Sequence, residues 1–187
     1  MELEISKQVL NLQQILIDND LDENINPLGT DKGSIHSYVQ EFYQPLLAKV
    51  LTPESILEIG VWKGASCVLW KKAFPNSLVL GVDIHLSNLH PLAAKLSEAR
   101  EIDIVEADAY GNAFRSSLKR KFDLIIDDGP HTLESQIKAL KFRENLTGKG
   151  TIVIEDIARG IIDFKSLRKS LPKAVRKRTQ YVSFSHK

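Results

Sequence analysis

The sequence predicts a doubly wound α/β domain built on a mostly parallel sheet, preceded by an N-terminal helical lid and closed by a shortened C-terminal end. Two observations carry this. From residue 55 onward, short apolar runs alternate with amphipathic stretches, the pattern of strands joined by crossover helices. Each run also ends at or near a carboxylate. The 187 residues are 43% hydrophobic and 26% charged, which suits a single domain, residues 1–187, with a sizeable core.

The elements follow in order. Leu3, Val9, Leu12, Ile15 and Leu16 recur at helical spacing, so residues 1–19 read as an amphipathic helix. Residues 18–33 are polar and rich in turn-forming Asn, Asp, Gly and Pro. Residues 35–50 read as helix again, with Pro45 as a bend or break. Residues 1–50 therefore form the lid segment. The core, residues 55–156, holds five runs: SILEIG (55–60), SLVLGVD (77–83), IDIVEAD (102–108), FDLIIDD (122–128) and GTIVIED (150–156). Runs this apolar suit strands buried on both faces. Amphipathic stretches near 64–74, 88–99, 109–119 and 132–145 lie between them. Residues 157–187 form a basic tail, with a helix near 162–171 and material for one more strand at 179–184.

Charge and cysteine usage exclude some functions. Lys plus Arg number 25 against 24 acids, a net charge of +1, without the basic excess a nucleic-acid binder needs. A cluster of Lys165, Arg168, Lys169, Lys173, Arg176, Lys177, Arg178 and Lys187 in the tail reads first as a solvated helix face and turn, and leaves an acidic or phosphorylated substrate, or RNA, open. The one cysteine, Cys67, rules out an internal disulfide and a multi-cysteine zinc site and points to a reducing, cytoplasmic setting. Neither a secretory leader nor a membrane-spanning apolar run is expected.

Ligands of an open α/β sheet bind beyond the carboxyl ends of the strands, so the acids there surround one crevice. Glu58, Gly60, Val61, Trp62, Gly64 and Ser66 form a strand-to-helix turn whose glycines permit close backbone approach and free the helix start. Asp83, followed by Ile84, ends the next strand, where an acid accepts from ribose hydroxyls. Asp108, followed by Ala109, is placed to accept from an adenine amino group. Asp127 and Asp128 close the fourth run as an adjacent acid pair, which is costly unless positive charge lies nearby. Glu155 and Asp156 close the fifth. Asp128, Glu155 and Asp156 could converge on Mg2+. His131, just beyond a Gly129-Pro130 turn, would stand beside that ion as a general base. A helix-capping role for His131 is the structural alternative. The loop 26–34 could close over a ligand as a lid, with Lys32 suited to a carboxylate, or it could be plain surface with Ser34 as a cap.

These motifs resemble those of the class I S-adenosylmethionine-dependent methyltransferases, with their Rossmann-like sheet. GTDKGS, DDGPH and IED, in that order over residues 26–160, resemble more narrowly the macrocin and mycinamicin sugar O-methyltransferases and their cephalosporin hydroxylase-like relatives. The resemblance implies Mg2+-assisted methyl transfer from S-adenosylmethionine to a hydroxyl of a small molecule. It implies Asp128, Glu155 and Asp156 as metal ligands, His131 as base, and Thr30 and Lys32 on the methionine part of the cofactor. Pro130 stands where the group usually has Ser. Full class I domains carry a sixth and a seventh strand, and this sequence has room for one. The expectation is an unfilled sheet edge that a second copy could cover, as a homo-oligomer. A catalytically impaired cofactor-binding partner or regulatory subunit is the alternative. An NAD site is disfavoured because Gly-x-Gly-x-x-Gly is absent.

Overall fold

Among the described residues, the five apolar runs form one parallel sheet in which the third run lies at one edge, followed by the second, first, fourth and fifth. The computed structural model describes residues 10–49, 52–158 and 160–176. The strands are β1 (Ser55–Ile59), β2 (Leu78–Asp83), β3 (Asp103–Glu106), β4 (Phe122–Asp127) and β5 (Leu146–Ile154). Helices α3 (Ala65–Ala73), α4 (Pro91–Glu98), α5 (Asn112–Ser117) and α6 (Leu133–Ala139) cross between them, and α7 (Ile161–Ser170) and α8 (Lys173–Arg176) follow β5. The order reverses between β1 and β4, which opens a crevice at their carboxyl ends.

The inner strands are buried on both faces because their side chains alternate between two cores. Ile56, Leu124, Ile126 and Val153 pack with Leu12, Val39, Tyr43 and Trp70 on one face. Leu57, Ile59, Val82 and Ile125 pack with Phe122 and Phe142 on the other. The third run departs from the expectation of a buried strand. β3 pairs on one side only, so Val105 remains 40% exposed. β5 begins earlier than expected and slips register between its Leu146 and Thr151 pairings. The stretch expected as a helix to 145 turns into a 3-10 segment, Leu140–Asn145.

The described part of the N-terminal segment, residues 10–49, belongs to the same core. Helix α1 (Leu12–Asp18) packs Leu12 and Leu16 inward, beneath an Asn11 cap. Residues 1–9 and the expected strand at 179–184 lie outside the described residues. The loop after α1 is built around buried Asp22, which accepts from the Asn24 and Ser34 amides and the Ser34 hydroxyl. Ser34 is thus spent on Asp22 rather than on a helix end. His90 Nε2 lies 3.2 Å from both the Asp20 carbonyl and the Asn26 amide, joining this loop to the start of α4.

The break expected at Pro45 takes a defined form. Val39–Tyr43 is a π-helical turn, and α2 (Gln44–Lys49) continues from it. Proline has no N–H to donate back and crowds the preceding turn. The wider turn accommodates it, with the Gln44 amide donating to the Val39 carbonyl.

Asp123 ties the opposite, amino-terminal edge of the sheet. Its carboxylate accepts from the Thr147 hydroxyl at 2.7 Å and the Glu54 amide at 2.9 Å. Burial alone would raise its pKa, but the bonds from Thr147, Glu54 and Ser55 hold it below the usual value. A depressed carboxyl contributes stability above its unfolded pKa and loses it as pH falls through the folded one. Asp123→Asn should therefore cost about 1 kcal/mol at pH 7 in urea unfolding. That difference should close as pH drops below about 4; a difference that persists in acid would rule the explanation out.

Candidate functional site

Register places the site. Ile59 pairs with Val82 and with Asp127, and Asp127 pairs with Ile154, so one row crosses four strands. The next residues, Gly60, Asp83, Asp128 and Glu155, form the carboxyl edge. Backbone bonds run along it from Gly60 N to Val82 O, Asp128 N to Ile59 O and Glu155 N to Asp127 O. Gly60 has φ +82°, and a Cβ there would meet the Asp128 carbonyl oxygen at 2.1 Å. The first and fourth strand-end loops approach so closely that no side chain fits between them.

A cavity of about 430 Å3 opens over this edge. Thr30, Gly60, Val61, Trp62, Ser66, Asp83, Ile84, Asp108, Ala109, Asp128 and His131 all line it. Asp83 holds the turn after β1 by accepting from the Trp62 amide at 2.8 Å. Asp108 accepts from the Tyr110 amide at 3.0 Å. Trp62 and Ile84, 51% and 74% exposed, form an apolar rim.

Beneath one end of the cavity lies an acid cluster tied to the N-terminal segment. The Lys32 ammonium, with no exposed surface, lies 2.9 Å from both oxygens of Glu155 and 3.4 Å from Glu58 Oε1, and it donates to Asp128 Oδ2. The Tyr43 hydroxyl donates to Glu155 Oε1, and the Tyr38 hydroxyl donates to Asp156 Oδ1. Tyr38 and Tyr43 flank the π-turn, whose pitch brings residues five apart towards one side. Burial would pull the Lys32 ammonium down, but Glu155, Asp128 and Glu58 together push it well above its usual value. Burial raises Glu155, Asp128 and Glu58, and Lys32 only partly offsets this. One ammonium faces three carboxyls, of which Glu58 and Glu155 are buried and Asp128 is half-buried.

Asp128 and Asp156 each keep an oxygen for something else. His131 Nε2 lies 3.9 Å from Asp128 Oδ1 and 3.8 Å from Asp156 Oδ2. One ligand atom from each of the three residues lies within 4.8 Å of the others. His131 and Asp156 hold this position in left-handed backbone, at φ 55° and 48°, which non-glycine residues seldom adopt. A hard divalent cation takes few carboxylate oxygens and keeps waters, so this open face fits one. Glu155, expected as a third ligand, has both oxygens committed to Lys32.

Several expected ligand-facing residues lie elsewhere. Lys32, expected on a cofactor carboxylate, is enclosed by the protein's own acids. Glu58 is buried under the cavity, where Oε2 accepts from Trp70 Nε1 at 3.0 Å. Gly64 starts α3 at φ +76°, with its would-be Cβ 3.0 Å from Ala93 and Ile104. Asp127 is buried and accepts from the Tyr110 hydroxyl at 2.5 Å; burial pushes its pKa up to about 7 against that bond. Thr132, not His131, caps α6 by accepting from the Ser135 amide. The residues that sequence reasoning missed are Tyr110, Asp31, which lines the cavity and pairs with His36 at 3.2 Å, and the hydroxyl roles of Tyr38 and Tyr43. The only sequence signal was Tyr rather than Phe at positions beside an acid-rich edge.

Residues 57–157 match the family described as Methyltransferase domain, and the chain belongs to it. Similar proteins include the 8-demethyl-8-alpha-L-rhamnosyl tetracenomycin-C 2'-O-methyltransferase of Streptomyces olivaceus, 29% identical over 69% of this chain and 35% of that one. The L-olivosyl-oleandolide 3-O-methyltransferase of Streptomyces antibioticus is 32% identical over 53% of this chain and 26% of its own length. The chain thus spans about a third or less of these relatives. Among solved structures, the MycE methyltransferase of the mycinamycin biosynthetic pathway, in complex with Mg and SAH, aligns at TM-score 0.55 and 21% identity, covering 92% of this chain and 41% of MycE. The Mg-SAM structure of cmcI also aligns at TM-score 0.55 and 21% identity, over 83% of this chain and 62% of cmcI. These two alignments show the shared Rossmann-like fold.

Gly60→Ala should destabilise the protein by at least about 2 kcal/mol in denaturant unfolding, because both a positive φ and a backbone clash oppose the methyl group. An unchanged midpoint would contradict the close loop contact.

Proposed function

We propose that this methyltransferase uses S-adenosylmethionine and methylates a hydroxyl of a small molecule, a natural-product sugar being the acceptor class, with Mg2+ or a similar divalent ion at the Asp128–Asp156 face. The carrying observation is that a cavity lined by Gly60, Asp83 and Asp108 runs directly to the Asp128 and His131 side chains. The sugar O-methyltransferase activities of the two Streptomyces relatives support the sugar hydroxyl. The Mg in the cmcI and MycE structures supports the ion.

In this reading the chain's own residues divide the work. Asp83 and Asp108 present acceptor oxygens to ribose hydroxyls and to an adenine amino group, and Gly60 leaves room for the cofactor to approach the backbone. Thr30 closes the cavity from the N-terminal segment. The sulfonium supplies an already activated methyl group, so alignment with the acceptor oxygen is a large share of the rate. Asp128 and Asp156 would hold the ion, which supplies positive charge to lower the pKa of an acceptor hydroxyl. His131 takes the hydroxyl proton at Nε2 as the new carbon–oxygen bond forms.

Calorimetry and turnover test this in sequence. S-adenosylhomocysteine should bind the wild type, and Asp83→Ala should weaken it by about tenfold, on the order of 1.4 kcal/mol. His131→Ala should lower kcat on a glycoside acceptor by about a hundredfold with little change in that affinity. No binding would sink the reading, and binding with no transfer to any sugar acceptor would favour a non-catalytic cofactor-binding partner.

A further inference from the structure

His90 is buried and lies outside the cavity, yet it joins three segments that build the cavity wall. Its amide donates to the Lys63 carbonyl at 2.8 Å, in the turn that carries Gly60 and Trp62. Asp83 holds the same turn through the Trp62 amide, and the Lys63 ammonium donates to the Ser87 carbonyl at 3.1 Å. His90 Nδ1 accepts from the Leu92 amide at 3.2 Å and so caps α4. An accepting Nδ1 leaves the proton of a neutral ring on Nε2. Nε2 therefore donates to the Asp20 carbonyl at 3.2 Å, and the Asn26 amide nitrogen at the same distance is a packing neighbour. Asp20 sits at φ 53°, a backbone that a non-glycine residue seldom adopts. The cavity wall is one step further on. The Thr30 amide donates to the Leu21 carbonyl at 2.7 Å, and the Glu23 amide donates to the Thr30 carbonyl at 3.1 Å. Gly29 packs against the same backbone, where an added Cβ would lie 2.6 Å from Leu21 O and Asp22 C.

We propose that His90 is a positioning residue for the cofactor: it ties the glycine turn after β1 to the N-terminal wall at Thr30 and Asp31, so that a ligand seated on the turn orders the wall as well. This rests on the S-adenosylmethionine reading above. The ring suits the task because its two nitrogens serve different segments, Nδ1 the helix and Nε2 the N-terminal loop. A side chain that matches only one nitrogen separates the two roles. The amide of asparagine falls near Nδ1, so it keeps the cap but does not reach Asp20. The amide of glutamine falls near Nε2, so it reaches Asp20 and gives up the cap.

Hydrogen exchange read by mass spectrometry, on the full chain with and without S-adenosylhomocysteine, tests this alongside calorimetry. In the wild type the ligand should slow exchange in residues 60–66 and, together with them, in residues 20–31. His90→Asn should weaken ligand binding by roughly fivefold, the worth of one neutral hydrogen bond. It should keep the protection at 60–66 and lose that at 20–31. His90→Gln should return the affinity to within about twofold of wild type and restore protection of the loop. Its urea midpoint should nevertheless fall, because the cap is gone. A role confined to the helix cap predicts the reverse order, with His90→Asn near wild type and His90→Gln impaired. That order overturns the proposal, and so does wild-type protection confined to 60–66. If His90→Asn does not fold, His90→Gln decides, and loss of its ligand-dependent protection at 20–31 overturns the proposal. Wild-type binding separates the two levels. Its absence removes the cofactor reading and the proposal with it, whereas binding that leaves residues 20–31 unchanged overturns the proposal alone.

Discussion

A lysine ammonium without exposed surface sits among Glu58, Asp128 and Glu155, and much of the N-terminal half serves to keep it there. Lys32 comes from a loop before the sheet, whereas Glu58 lies near the end of β1 and Asp128 and Glu155 directly follow β4 and β5. The ion cluster is therefore the junction between lid segment and core. Leaving buried carboxylates without their partner costs on the order of 3–5 kcal/mol, a large part of a typical domain's stability. The Asp22-centred turns, the bonds near His90 and the π-turn that directs two tyrosine hydroxyls all fix the segment from which Lys32 reaches in.

Sheet register supplies the other half of the arrangement. Because Ile59, Val82, Asp127 and Ile154 align, the residues just beyond them meet at one edge. Close approach of Gly60 to the Asp128 carbonyl sets the floor of the cavity, so the glycine turn shapes the acid site as well as the ligand site. Gly129 has a parallel role. A Cβ there would collide with the Tyr110 hydroxyl, which holds Asp127.

The strands and their sequence were legible because β1, β2 and β4 are apolar on both faces and end in acids. β3 was overread: Ile104 and Val105 look like core residues, but only pairing shows that this strand is an edge. The cavity residues Gly60, Asp83, Asp108 and His131 were legible from their place after strands. The division of labour among the acids was not. Glu155 and Asp156 are adjacent in sequence, and only the Lys32, Tyr38 and Tyr43 contacts, which cross more than a hundred positions, separate a buried counter-charge from a ligand-facing oxygen.

The most direct measurement is a crystal structure of the protein with S-adenosylhomocysteine and Mn2+, with the ion located by its anomalous signal. The account predicts a peak coordinated by Asp128 and Asp156 on the His131 side. A peak away from Asp128 and Asp156, or no peak at all, would contradict it.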